Sequence, residues 1–165
     1  MPALIALRIV GKNLAKIAVE REEMSSAGPP VSPARSALMA RVRGKDTKPE
    51  IVVRSIVHRL GYRFRLHRAG LPGRPDLVFA GRRKAIFVHG CFWHRHPGCR
   101  GTTTPKTRAS YWQEKFRQNI ERDRRAIEAL EEAGWSVMVV WECETRDSKT
   151  LARRLKQFLA QDSPN

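Results

Sequence analysis

Helical and extended apolar patterns alternate along this chain in a way that predicts a mixed α/β layer fold. Three observations predict it. A capped helical segment near residue 47 leads into short extended runs; two apolar runs flank a Gly-Arg-Arg turn; and a long helical stripe feeds a valine-rich strand and a last helix. With 165 residues, 41% of them hydrophobic, there is material for one domain and its core.

The elements follow in order. Residues 1–31 read as an N-terminal extension, either disordered or lying before the true start of translation, for which Met24 is a candidate; residues 32–165 read as a single domain. Arg8, Lys12 and Lys16 interrupt the opening apolar spacing, so it lacks the apolar run of a signal peptide. Thr47-Lys48-Pro49-Glu50 has the cap, early proline and third-position glutamate of a helix start. Val53, Val57 and Leu60 form its apolar stripe, and Gly61 ends it. Residues 62–66 are extended and 71–75 form a turn. The runs 76–80 and 84–88, joined by Gly81-Arg82-Arg83, predict a β-hairpin. Residues 89–109 read as loop, 110–133 as a long helix stopped by Gly134, 135–143 as a buried strand, and 148–159 as the closing helix.

Charge narrows the function. The chain has 32 Lys and Arg against 16 Asp and Glu, a formal net charge of +16. Residues 32–113 hold 18 bases and only three acids, Asp46, Glu50 and Asp76, whereas from Glu114 onward ten bases face ten acids. A basic half suited to a polyanion such as nucleic acid is thus joined to a balanced half that supports the fold. No run of ~18 apolar residues exists to span a membrane. Three cysteines are too few and too odd for a disulfide framework, and indicate a reducing compartment with metal or free thiols.

Several residues then need a reason. Asp76 opens the first hairpin strand and His89 ends the second, which sets a carboxylate, the carbonyl near Val88 and an imidazole at one end of a sheet; carboxylate and carbonyl oxygens are what Mg²⁺ prefers. The plain alternative for Asp76 is a turn residue after proline. Glu50 heads the inward stripe of its helix, as a cap, as a group near the metal, or as both. Asp123 interrupts the stripe Phe116, Ile120, Ile127, Leu130, with Asn119 one turn before it; its partner is a loop histidine or an arginine. Cys91, His96 and Cys99, with Cys143 at a strand end, are the right donors for a closed tetrahedral Zn²⁺, or else are buried thiols beside a polar loop. His89 and His94 suit acid–base work on a phosphodiester, or plain phosphate binding. Phe92, Trp93 and Trp112 lie among basic residues and suit stacking or wedging between bases, although Trp112 also fits as the apolar head of its helix.

Four segments together resemble the very short patch repair (Vsr) endonucleases: Leu71-Pro72-Gly73-Arg74-Pro75-Asp76, Phe87-Val88-His89-Gly90-Cys91-Phe92-Trp93-His94, Asn119-Ile120-Glu121-Arg122-Asp123-Arg124-Arg125 and Trp141-Glu142-Cys143. The resemblance runs from about Ser36 to Leu159. It implies a restriction-endonuclease-like fold, a central mixed β-sheet flanked by helices with a structural zinc site. It also implies nicking of double-stranded DNA 5′ to the thymine of a T·G mismatch left by 5-methylcytosine deamination. Residue by residue, it implies that Asp76 and the Val88 backbone carbonyl hold catalytic Mg²⁺, and that His89, His94 and Asp123 form the catalytic cluster. Glu50 reaches the metal-bound water; Cys91, His96, Cys99 and Cys143 bind structural Zn²⁺; and Phe92, Trp93 and Trp112 intercalate beside the mismatch.

The chain departs from the family pattern in three places. Val88 stands where a threonine occurs in the best-known pattern, the His96–Cys99 spacing is one residue longer, and Val88-His89-Gly90 replaces the second acid and lysine of wider relatives of the fold. The expectation is therefore a Mg²⁺-dependent, zinc-containing, monomeric mismatch endonuclease of the bacterial cytoplasm, nucleoid-associated, with mismatch-repair proteins as candidate partners. In its mechanism His94, oriented by Asp123, activates water while His89 stabilises or protonates at the phosphate. The alternatives are a zinc-bearing DNA-binding module without catalysis and a structure-specific nuclease indifferent to mismatches.

Overall fold

The computed structural model describes residues 44–161; the expectations for residues 1–31 and for the first residues of the domain lie outside these. Helix α1 (Lys48–Arg59) begins as its sequence dictates. The Thr47 hydroxyl accepts the Glu50 N–H while the Glu50 carboxylate reaches back to the Thr47 N–H, and Pro49 occupies the first turn. Its end is equally local: Gly61 at φ +83 lets the Gly61 and Tyr62 N–H groups return to the carbonyls of His58 and Val57.

Four strands follow, β1 (Arg65–Leu66), β2 (Leu77–Phe79), β3 (Lys84–His89) and β4 (Ser136–Trp141), in the spatial order β1-β2-β3-β4. The first three are antiparallel neighbours, and β4 runs parallel to β3, with Leu77 opposite Ile86 and His89 opposite Trp141. The sheet is mixed, as expected. The extended run 62–66 yields only two paired residues, because Tyr62 and Phe64 are drawn onto the apolar core. Between β2 and β3 the chain turns through a short 3₁₀ segment, Ala80–Arg82, with Arg83 left-handed at φ 47.

Alternation along β3 and β4 divides the core into two layers. Ile86, Met138 and Val140 meet Val53, Ile56 and Val57 of α1 together with Leu151, Leu155 and Leu159 of helix α3 (Ser148–Ala160). On the opposite face Ala85 and Phe87 meet Leu130 and Ile127 of helix α2 (Ala109–Glu132). Lys84 is 1% exposed, and its ammonium donates to the Phe158 carbonyl at 2.5 Å and to that of Gln161. A buried charge thereby caps the negative end of α3.

Helix α2 is rotated from the stripe expected of it. Ile120 is 48% exposed, and the buried positions are Phe116, Asn119, Ala126 and Leu130. The helix turns a polar face inward because Asn119 and Asp123 both find partners there, which the apolar spacing does not register.

Candidate active site and metal centre

Antiparallel pairing brings Asp76 and β3 together. The last β2–β3 pair is Leu77 with Ile86, and one step beyond it the Val88 N–H donates to Asp76 Oδ2 at 2.7 Å. The carboxylate thus continues the ladder where the strand stops. Burial pushes its pKa from 3.8 up to about 6, against the pull of that N–H, and Glu50 adds to the rise.

His89, the last residue of β3, is buried and lies flat on His94, with centroids 3.9 Å apart and planes at 11°. Burial, helped by the His94 charge, lowers its pKa from 6.5 to about 4, so His89 is neutral near pH 7. The turn after β3 closes when the His94 N–H donates to the Gly90 carbonyl at 3.1 Å. That turn aims His94 Nδ1 at Asp123 Oδ2 of α2, 2.5 Å away. Of the two partners open to Asp123, histidine is the one it has. Asn119, one turn earlier and 6% exposed, donates to the Trp93 carbonyl at 3.1 Å and accepts from Arg122. The loop is thereby tied to the helix at two successive residues, Trp93 and His94.

Glu50, Asp76, Val88, His89, His94 and Asp123 line one open cavity of about 680 Å³, with Trp93, Lys115 and Arg122 on its walls. Glu50 is 3% exposed and heavily engaged. Its oxygens take the Thr47 hydroxyl at 2.9 Å, the Asp46 N–H at 3.0 Å and Arg54 Nη2 at 2.6 Å. The helix cap and a place at the cavity coexist in one side chain.

Cys91, His96, Cys99 and Cys143 form a separate group, their donor atoms all within 4.8 Å of one another. His96 Nδ1 lies 3.3 Å from Cys143 Sγ and 3.8 Å from Cys91 Sγ. Ligands about 2.0–2.3 Å from a tetrahedral zinc are themselves roughly 3.6 Å apart, so the donor set fits that ion. Burial pushes the Cys91 thiol up to about 12, a cost that a metal–thiolate bond removes. Cys143 sits in the 3₁₀ turn Glu142–Arg146, just past β4 rather than at its end. Trp141 separates the two centres: it stacks on His96, at 4.4 Å and 8°, and meets the edge of His89 at 5.5 Å.

The three aromatics expected to touch bases are assembled in one cluster. Phe92 meets Trp93, Trp112 and Phe116 edge-on, with centroids 5.1 to 5.6 Å apart, and all three expected residues are partly exposed. Trp93 alone of the three lines the cavity. Trp112 reaches this cluster from the first turn of α2, so it is both helix head and cluster member.

Two cavity neighbours escaped the sequence reading. His67 follows β1 with φ 44 and lies between Glu50 and Asp76, and Arg54 of α1 bonds to it. Neither falls in a motif; only the histidine's place within a basic, acid-poor stretch hinted at it.

The sequence resembles known DNA endonucleases over about three-quarters of its length. Residues 31–100 match the family described as DNA mismatch endonuclease Vsr. A type II nicking enzyme, V.XorIIP of Xanthomonas oryzae pv. oryzae, is 54% identical over 125 residues, which cover 76% of this chain and 91% of that protein. The DNA mismatch endonuclease Vsr of Escherichia coli K12 is 42% identical over 130 residues, 76% of this chain and 83% of its own length. The type II nicking enzyme V.NmeAIP of Neisseria meningitidis is 37% identical, with 76% and 89% covered. With its mixed sheet, its histidine–carboxylate cavity and relatives aligned over most of their lengths, this chain belongs to the Vsr family of DNA endonucleases.

Proposed function

We propose that the protein nicks one strand of duplex DNA 5′ to the thymine of a T·G mismatch and depends on Mg²⁺ to do so. The observation that carries the reading is the convergence of Asp76 and the hydrogen-bonded pair His94–Asp123 on one cavity in a strongly basic chain. The mismatch itself comes from the name of the Escherichia coli relative, and strand nicking from the names of the others.

Asp76 and the Val88 carbonyl would hold the divalent cation, whose chemistry is to withdraw charge from the scissile phosphate. Asp123 fixes the His94 ring by accepting at Nδ1, leaving Nε2 to take a proton from the attacking water. His89, neutral near pH 7, acts through a hydrogen bond to the phosphate rather than as a proton source. Glu50 adds a buried negative charge beside Asp76. Zn²⁺ in the Cys91–His96–Cys99–Cys143 set would be structural, all four donors being protein side chains. Phe92, Trp93 and Trp112 would insert beside the mispair, where weakened stacking makes insertion least costly. A monomer is the proposed state, and mismatch-repair proteins remain the proposed partners.

The test is a labelled duplex carrying one T·G mismatch in several cytosine-methyltransferase contexts, incubated with and without Mg²⁺ beside its paired control. A single nick 5′ to the mismatched thymine, present only with the metal, is expected. Equal cutting of paired or branched duplexes would overturn the mismatch reading.

A further inference from the structure

His67 takes no part in the reaction as written, yet it occupies a costly position. It is a non-glycine residue in the left-handed region, φ 44, and its ring lies between Glu50 and Asp76, two of the three acids of the basic half. Its Nδ1 is 3.8 Å from Asp76 Oδ1, and its Nε2 is 3.9 Å from Glu50 Oε2. Arg54 Nη2 lies 3.2 Å from that same Nε2. A guanidinium only donates, so Nε2 must accept and the ring proton of neutral His67 belongs on Nδ1. The N–H then faces Asp76.

Arg54 can enforce this because it is itself fixed. Its Nη1 lies 2.5 Å from Asp46 Oδ1 and its Nη2 2.6 Å from Glu50 Oε2. The same guanidinium argues against a cation between Asp46, Glu50 and His67, since it already supplies the positive charge there. On the other side of Asp76, Oδ2 is taken by the Val88 N–H at 2.7 Å. Oδ1 is the oxygen still to be oriented, and His67 Nδ1–H is within about 1 Å of hydrogen-bond distance, a gap that a small side-chain rotation covers.

We propose that His67 is a positioning residue for Asp76, held in one tautomer by Arg54, and that it sets how well Asp76 binds a divalent cation. It acts through the carboxylate, as outer-shell partners of metal ligands do. The inference rests on the reading that Asp76 holds the catalytic cation, and its test separates the two.

Mn²⁺ serves as the probe, its binding to the zinc-loaded full chain without DNA being followed by the electron paramagnetic resonance of the free ion. His67→Phe and His67→Leu both fill the space and remove the N–H; whichever keeps wild-type zinc content and melting behaviour is used. Its Kd for Mn²⁺ should rise by about tenfold or more. His67→Asn, which restores an N–H at the position of Nδ1, should recover most of that loss, a rescue that mere filling of space cannot produce. Asp76→Asn should abolish binding. If Asp76→Asn abolishes binding but removal of the His67 N–H leaves Kd within about twofold of wild type, the positioning role is refuted while the metal reading stands. If Asp76→Asn binds Mn²⁺ like wild type, the reading of Asp76 falls and the proposal falls with it.

Discussion

Asp76 is held where a carboxylate is least comfortable, and that discomfort can be measured. Its pKa is raised from 3.8 to about 6 by burial, so the fold prefers its protonated form. The stability this gives is present at low pH and is lost as pH rises through about 6. Without added Mg²⁺, Asp76→Asn should therefore stabilise the protein at pH 8 by about 1–2 kcal/mol, a few degrees in Tm, because the amide still accepts from Val88 and carries no charge. At pH 4 the gain should vanish, and nicking should be absent at every pH. A variant no more stable than wild type at pH 8 would show that the carboxylate is not strained. The His94–Asp123 pair makes a second, graded prediction. His94→Ala should lower the single-turnover nicking rate by about 10²–10⁴-fold with DNA binding retained. Asp123→Asn, which keeps the shape and loses the charge, should cost less than His94→Ala. Equal nicking by His94→Ala and wild type would remove His94 as the base.

One glycine sets how the turn before Asp76 docks on α2. A Cβ on Gly73 would stand 2.6 Å from the Ala126 Cβ and 3.1 Å from the Phe87 ring, at φ +68. Gly73→Ala combines a backbone conformation that disfavours side chains with a clash against a buried helix, and should destabilise by about 2–4 kcal/mol. It should also slow nicking, since the same turn carries Asp76; an unchanged melt would mean the turn yields freely. Such close approaches depend on tertiary packing and are invisible along the chain, although the run Leu71–Pro75 was legible as a turn. The capping box of α1 was legible because Thr47 and Glu50 satisfy each other within one turn. The hairpin that places Asp76 against Val88 was legible because two continuous apolar runs flank a short Gly-Arg-Arg turn, whose position sets the register. Ile120 misled because α2 buries Asn119 and turns the half-buried Asp123 toward their partners in the loop, so the inward face of that helix is chosen by hydrogen bonds. His67 had no periodic signal at all: a lone histidine after a two-residue strand acquires meaning only once α1 brings Arg54 beside it.

Across the whole molecule, charge is partitioned in the same way as function. On α2, Arg117 pairs with Glu114, Arg124 with Glu121 and Glu128, and Arg125 with Glu121, so the helix neutralises itself. Arg63, Arg65, Arg68, Arg74, Arg100 and Lys106 form no ion pair among the described residues. A phosphodiester backbone is the partner for which such cations suit, and each phosphate they neutralise releases condensed counterions into the medium. If six or more phosphates are contacted, affinity for duplex DNA should fall by about 10³-fold or more between 50 and 200 mM salt. The slope also assigns the contacts. Arg65→Gln or Arg68→Gln should reduce the steepness of log K against log salt by about 1, for paired and mismatched duplexes alike. Arg124→Gln should leave the slope unchanged, because that guanidinium is already committed to two carboxylates. The measurement is fluorescence anisotropy of a labelled duplex over a salt series. A shallow slope for the wild type, or an effect of Arg124→Gln equal to that of Arg65→Gln, would mean that net charge rather than this arrangement of unpaired cations drives binding.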